Sequence, residues 1–512
     1  MLDALSMLGM GFAQLMDPMI WFMCLLGCLM GTLVGVLPGF GTAAAIAVLL
    51  PIVYGKDPLT SLVMLAGILA GAMFGGTITS VALNVPGEGA SVVTTFDGYQ
   101  MTKQGRGGAA MGIAAIGSFI GGTIGLILLT IAGTPLASAA LAFGPPEYFA
   151  LYMFTFIAIL TLGGGNSFLK SAVSLFLGLL ISTIGIDAMT GTPRLTFGTL
   201  SLQAGIDFIP AVVGLFGLSE IILTLTEKDT VVLKKGDAKF TLKEIFPTMK
   251  EFIQCLPTII RASFLGFFCG VLPGVGATIS TFVSYSVERR FAKDRDTFGK
   301  GNIKGVAAPE TANNACASGH YVPLLALGIP RSATSAVILS AFVLLGIQPG
   351  PRLFAEHPDI VWGLIASMYI GNVILLIMNT LFIPFFIWLL RLCQNTMPFV
   401  VATLCLIGTY SVNYSIIDIF VMLAFSGIGV LFKKLDVPVA PLVIAVILGN
   451  ELEFSFRQTL QYEQGSFYLS FMRPLTVVLY IASFVMLIMQ VRRSYLNYKG
   501  KEVMNLTSDG LN

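Results

Sequence analysis

The sequence predicts an all-α polytopic membrane protein with about eleven crossings and two re-entrant or broken helical hairpins, arranged as an inverted repeat. Three observations carry that prediction. Of 512 residues, 55% are apolar and 11% charged, whereas soluble domains carry about 25% charged residues; mean hydropathy is +0.87. The 38 residues from Pro18 to Gly55 hold no Asp, Glu, Lys or Arg, more than the roughly 20 that a spanning helix needs. A turn sequence rich in Pro and Gly occurs twice, far apart in the chain. A string of soluble domains is excluded. The net charge of +2 offers no field for a nucleic-acid partner.

In chain order, the first interrupted segment is 19–53, broken at Pro38-Gly39-Phe40-Gly41. Apolar runs then predict crossings at roughly 59–83, 107–132, 148–164, 167–186 and 208–226. The lysine-rich stretch 227–257 reads as a cytoplasmic linker. The second interrupted segment, 258–287, breaks at Pro273-Gly274-Val275-Gly276. Six more crossings follow at 305–347 (broken near its middle), 359–390, 396–412, 416–432, 437–449 and 473–490, with a cytoplasmic tail at 491–512. The halves are thus 1–226 and 258–490. Each arm of the interrupted segments is short, so each segment reads as a hairpin turning inside the membrane, although two full spans would leave all later loops on the same sides.

The first basic residue is Lys56, so the amino terminus lacks the positive region of a cleavable signal peptide. Seven cysteines (Cys24, Cys28, Cys255, Cys269, Cys316, Cys393 and Cys405) sit in or beside apolar runs without metal-ligand spacing, and imply no disulfide framework.

Positive residues collect on the cytoplasmic side of membrane proteins. With the amino terminus outside, 23 of the 29 lysines and arginines fall on one face, including Lys103, Arg106, the lysines from Lys228 to Lys250, the cluster Arg289 to Lys304, Lys433, Lys434 and the tail. Lys56, Arg194, Arg352, Arg457 and Arg473 fall on the other, and Arg331 alone lies within the membrane. The basic clusters are explained by topology.

Gly35-Val36-Leu37-Pro38-Gly39-Phe40-Gly41 recurs as Gly270-Val271-Leu272-Pro273-Gly274-Val275-Gly276, and Leu83-Asn84-Val85-Pro86 is echoed by Leu327-Gly328-Ile329-Pro330. Five crossings separate the hairpins, and an odd number inverts the second half. Inverted repeats with broken helices in matching places point to a transporter site at the bilayer midplane. Unpaired backbone in hydrocarbon costs several kcal/mol per group, so such breaks must line a polar cavity or be buried in protein. New half-helices are expected at Thr42, at Ala277-Thr278, and after Pro86 and Pro330, with Pro near the first helical position. Four helix amino termini converging there would suit a carboxylate. The alternative is that these are ordinary turns whose glycines let helices pack closely.

The expected substrate-binding set is Gly39, Gly41, Thr42, Asn84, Pro86, Gly87, Gly274, Gly276, Thr278, Asn313, Asn314, Pro330, Arg331 and Ser332. Arg331 is either a fork for a substrate carboxylate or a structural ion pair with Glu88. The asparagines offer donors and acceptors for carboxylate or sodium, or bond helix to helix. Ser332, Thr334 and Ser335 reach substrate or cap a helix. Asp97 and Glu310 are coupling-ion ligands or loop and helix-start carboxylates. His320 is a proton carrier or a satisfied structural residue.

The run Gly35 to Pro51 resembles the first signature of the large membrane (permease) subunit of tripartite tricarboxylate transporters. So does Gly67 to Gly108, with Asn84-Val85-Pro86-Gly87, Phe96-Asp97-Gly98-Tyr99 and Gln104-Gly105-Arg106-Gly107. The second half adds Ala308-Pro309-Glu310-Thr311-Ala312-Asn313-Asn314, Leu325-Ala326-Leu327-Gly328-Ile329-Pro330 and Gly346-Ile347-Gln348-Pro349-Gly350-Pro351. The resemblance covers about 30 to 490. It implies a multi-pass subunit of the bacterial inner membrane, N-terminus periplasmic and C-terminus cytoplasmic, working with a small membrane subunit and a periplasmic solute-binding protein. It implies import of di- or tricarboxylates such as citrate, coupled to Na+ or H+, with no other cofactor. Two positions depart from the family pattern: Arg331 stands where Gly is usual, and Glu88-Gly89 where Thr-Pro is usual. They add a cation and an anion beside the expected site, bearing on substrate class more than fold.

An ion-coupled organic-anion carrier without a binding protein is the alternative. An intramembrane enzyme would need a convergent nucleophile, acid-base or metal set, which the sequence does not offer. A channel would need a continuous pore, whereas repeats of this kind suit alternating access.

Overall fold

The computed structural model describes residues 2–37, 41–53, 55–140, 143–162, 168–187, 189–226, 245–272, 275–350, 352–393 and 396–509. These are almost wholly helical, with one two-stranded hairpin pairing Gly185–Ile186 with Pro193–Arg194. Among them, seven helices are long and apolar enough to cross a membrane: Pro18–Val36, Pro58–Leu83, Gly107–Gly133, Phe208–Thr226, Met249–Val271, Pro358–Leu381 and Ile416–Lys434.

Several expected segments differ. Region 305–347 resolves into helices Ile303–Gly319, Tyr321–Leu327 and Ala333–Leu344, none long enough to span alone. Region 359–390 breaks at Phe382 into Pro358–Leu381 and Ile383–Cys393, and 437–449 becomes Ala440–Tyr462. The second hairpin opens earlier than 258. Thr248 accepts from the Glu251 N–H at 3.3 Å while the Glu251 carboxylate accepts from the Thr248 N–H at 2.8 Å. This reciprocal cap starts a 23-residue helix at Met249, inside the expected linker. Helices Leu2–Gln14 and Val92–Lys103 were not read from the sequence. The rest of the linker, 227–244, lies outside the described residues.

The chain divides into two compact units, 1–142 with 206–435, and 143–205 with 436–512, which follow compactness and not the halves of the repeat. In the first unit, Pro18–Val36 packs on Pro58–Leu83 through interlocking glycines. A Cβ on Gly27, Gly31 or Gly35 would overlap the carbonyl oxygens of Met64, Ile68 and Ala72, and one on Gly67, Gly71 or Gly75 would crowd Pro18–Val36 in return. The same device recurs where Gly266 and Gly270 meet the carbonyls of Ala312 and Cys316. Small residues four apart bring helix backbones into contact where lipid gives no hydrophobic drive between helices. On Met249–Val271, Ile253, Ile260, Phe264 and Phe268 form an exposed apolar stripe, as a lipid-facing surface requires.

Residues assigned to one side by the charge map also meet. Arg106 pairs with Glu251, and Lys304 with Asp294 at 3.0 Å. In the second unit, Arg194 and Arg457 share Asp187 at 3.2 and 2.9 Å, while Arg473 pairs with Glu147 at 2.9 Å. The Thr190 and Met189 amides, with Arg194 and Arg457, hold the Asp187 carboxyl down at about 2.

Two outcomes are expected. Gly31→Val should lower unfolding stability in detergent by roughly 1–3 kcal/mol through overpacking, read as a fall in Tm. Because an unfolded Asp titrates near about 3.9, Asp187 stabilises the second unit fully above about pH 4, and that contribution is lost as pH falls through about 2. Asp187→Asn should therefore lower Tm at pH 7 but lose its effect near pH 2; an equal effect at both would refute this.

Candidate functional site

The two sequence echoes are also echoes of backbone geometry. Leu37 (φ −79°, ψ 117°) and Leu272 (φ −77°, ψ 126°) each leave their helix in an extended conformation. Beyond the turns, the carbonyls of Gly41 and Gly276 each accept an N–H four residues on, from Ala45 and Ser280, both at 3.1 Å. Asn84 (φ 61°, ψ 26°) and Gly328 (φ 69°, ψ 24°) end their helices in the left-handed conformation, which Asn and Gly tolerate best. Four residues later, Glu88 (φ −143°, ψ 168°) and Ser332 (φ −147°, ψ 167°) are extended. A serine three residues on then bonds back to each. Ser91 Oγ accepts from Glu88 N at 3.2 Å and donates to Glu88 O at 2.9 Å; Ser335 Oγ accepts from Ser332 N at 2.9 Å and donates to Ser332 O at 3.0 Å. The helices start at Gly89 and Ala333, so Pro86 and Pro330 lie near the first helical position but ahead of the caps.

The breaks converge. Thr42 Oγ1 donates to Glu88 Oε2, and Asn313 Nδ2 donates to Glu88 Oε1 at 3.1 Å. A Cβ on Gly89 would lie 2.9 Å from Thr278 Oγ1. Arg331 Nη1 donates to Val275 O, beside the second turn, and to Cys269 O at 3.2 Å, while Nη2 donates to Cys316 Sγ at 3.3 Å. Four helix starts, at Thr42, Gly89, Ala277 and Ala333, are thereby linked within one unit. A Cβ added at Gly41 or Gly276 would meet nothing within 4 Å among the described residues; the alternative, close helix packing, is made instead by Gly35 and Gly270.

Other expected site residues part company. Gly39 and Gly274 lie outside the described residues. Asn84 is exposed and serves as the left-handed cap. Gly87 packs against the Gly35 carbonyl and Gly76 Cα, where a side chain would collide. Asn314 Nδ2 donates to its own helix at Glu310 O, 3.3 Å, and the residue lines a separate small cleft with Tyr321, Ser318 and Asn372. Arg331 makes no ion pair with Glu88 among the described residues; the alternation of the repeat pairs Arg331 with Gly87 and Glu88 with Ser332.

The two expected coupling-ion carboxylates occupy different surroundings. Asp97 Oδ1 accepts N–H groups from Gly299, Gly301 and Asn302 at 2.9, 2.9 and 2.7 Å, and Oδ2 accepts the Tyr285 hydroxyl at 2.9 Å. It clamps helix Val92–Lys103 to the loop before Ile303–Gly319. Glu310 is 1% exposed. It accepts from Thr77 Oγ1 at 2.5 Å and from Thr94 Oγ1, and no Lys or Arg pairs with it among the described residues. Thr77 and Thr94 were missed in the sequence; a threonine in an otherwise apolar helix was the available signal. His320 is buried with Nε2 3.7 Å from Cys316 Sγ. Among the described residues, no group of three or more His, Cys, Asp or Glu forms a metal cluster.

Residues 21–444 match the description "Tripartite tricarboxylate transporter TctA family". The chain belongs to that family. An "Uncharacterized 52.8 kDa protein in TAR-I ttuC' 3'region" of Agrobacterium vitis is 39% identical over 468 residues, covering 91% of this chain and 92% of the relative. An "Uncharacterized protein in TAR-II ttuC' 3'region" of the same organism is 38% identical over 200 residues, 39% of this chain and 83% of the relative. No solved structure matches. In this TctA-family chain the motif Phe96-Asp97-Gly98-Tyr99 has a structural use, because Asp97 gathers three backbone amides. Asp97→Ala should speed tryptic cleavage after Lys293, Arg295 or Lys300 by about tenfold, the equivalent of one lost charge-assisted hydrogen bond; an unchanged rate would show the loop is held otherwise.

Proposed function

We propose that this membrane transport subunit imports di- or tricarboxylates, citrate-like in charge, driven by a gradient of Na+ or H+. The observation that carries the reading is the convergence of four helix starts on Thr42, Glu88, Thr278 and Val275, with free space at Gly41 and Gly276. Helix amino termini present unpaired N–H groups and partial positive charge, which suit a carboxylate. Substrate carboxylates sit against the turns containing Gly39 to Thr42 and Gly274 to Thr278, with Asn84, Pro86, Gly87, Pro330 and Ser332 shaping the backbone approach. Arg331 adds positive potential from behind the second turn.

Coupling runs through half-buried Glu88 and buried Glu310. Glu88, with Thr42 Oγ1 and the unpartnered Asn313 Oδ1, and Glu310, with Thr77 and Thr94, offer hard oxygen donors, suited to a hard cation or a proton. Asp97 is the weaker candidate because four donors within the protein already use it. The small membrane subunit and periplasmic binding protein complete the system in a bacterial inner membrane, with the amino terminus outside. Chemistry on the substrate is not part of this reading.

Uptake of labelled citrate and shorter dicarboxylates into proteoliposomes with the partner subunits tests it. Gly41→Ala and Gly276→Ala should leave folding intact, since a Cβ there meets no atom of the described residues within 4 Å, yet lower uptake about tenfold or more if carboxylate approaches that backbone. Unchanged uptake in both would remove the turns from the site. Glu310→Gln should keep substrate exchange but abolish accumulation driven by the ion gradient; retained accumulation would exclude it from coupling.

A further inference from the structure

The second break holds an arrangement that the first lacks. Arg331 is 1% exposed and sits where helix Met249–Val271 ends. The last carbonyls of a helix have no intrahelical partner and carry partial negative charge. Two carbonyls flanking this turn, Cys269 O and Val275 O, both accept from Arg331 Nη1. Cys316 Sγ takes Nη2, and Nε has no partner. No carboxylate pairs with this buried guanidinium among the described residues; its charge is met by carbonyl oxygen. Unwound carbonyls and half-helix carboxyl ends are the groups that bind mobile cations in broken-helix carriers. At the matching position of the first half, Gly87 leaves no side chain to do this, and the charged group is the anion Glu88 one residue on.

We infer that Arg331 is a tethered cation at the second helix break, filling with a fixed guanidinium the carbonyl site that would otherwise bind a mobile coupling cation. The two halves of the repeat are then unequal in charge. The first can take a mobile cation at Glu88; the second carries its own and contributes none to the ion stoichiometry. This rests on the ion-coupled reading above, but its decisive readout does not.

The experiment compares purified full-length wild type, Arg331→Gly, Arg331→Gln and Arg331→Lys in detergent. Thermal stability is recorded in choline chloride, in sodium chloride, and with low millimolar guanidinium. Arg331→Gly and Arg331→Gln should be less stable in choline than wild type. Both should regain several degrees with sodium or guanidinium beyond any response of wild type, while Arg331→Lys should behave as wild type. Arg331→Gln keeps bulk and donors, so it serves if the glycine variant does not fold. In proteoliposomes with the partner subunits, the uncharged variants should show uptake about tenfold lower at low sodium, restored by high sodium, with an apparent order in cation one higher than wild type. Uncharged variants whose stability gains nothing from either cation beyond wild type would overturn the inference. Absence of any wild-type carboxylate uptake would instead overturn the transport reading and leave the stability comparison decisive for Arg331.

Discussion

Backbone polar groups cut loose at a helix break must find partners away from bulk water, and this chain meets that demand four times within one compact unit. Left-handed caps at Asn84 and Gly328 close two helices on their own carbonyls. Ser91 and Ser335 each return a hydroxyl to the extended residue three positions earlier. The carbonyls of Gly41 and Gly276 enter new helices. With these solutions in place, breaks that would each cost several kcal/mol become stable enough to expose selected N–H groups, and the proposed anion chemistry follows from that exposure.

The recurrence of a left-handed cap followed by an extended residue was legible because Asn, Gly and Pro have strong local requirements. The glycines of one heptapeptide and the Asn or Gly before each Ile-Pro or Val-Pro dictate backbone conformation almost regardless of what surrounds them. The partners of charged side chains were not legible. Glu88 and Arg331 look matched as an added anion and an added cation, yet they sit one register apart in the repeat, and Glu88 turns to Thr42 and Asn313. Asp97 gave no hint of the loop at Gly299 to Asn302, because that contact spans about two hundred residues of sequence. Thr77 and Thr94 were hidden for the same reason. The start of the second hairpin was misjudged because Lys250 and Glu251 break the apolar run, whereas the reciprocal cap at Thr248 begins the helix there.

The division of labour among the acidic residues follows from what donates to each. Asp97 is surrounded by fixed backbone amides, which hold a loop in place. Among the described residues, the Glu310 carboxylate meets two rotatable hydroxyls, from helices Pro58–Leu83 and Val92–Lys103. A hydroxyl can reverse its role from donor to acceptor when the carboxyl gains a proton; a backbone amide cannot. The same residue type thus serves as a clamp in one place and as an adjustable group in the other.

The glycine stripe between Pro18–Val36 and Pro58–Leu83 has a mechanical corollary. Each carbonyl of one helix rests in a notch only as large as a missing methyl group, and the notches come every four residues on both partners. Sliding the pair by one residue would drive Met30 or Thr32 into the notch that Gly31 leaves open for Ile68. These two helices therefore travel as a single strut, and any shear during the working cycle has to pass along seams lined by larger, softer side chains.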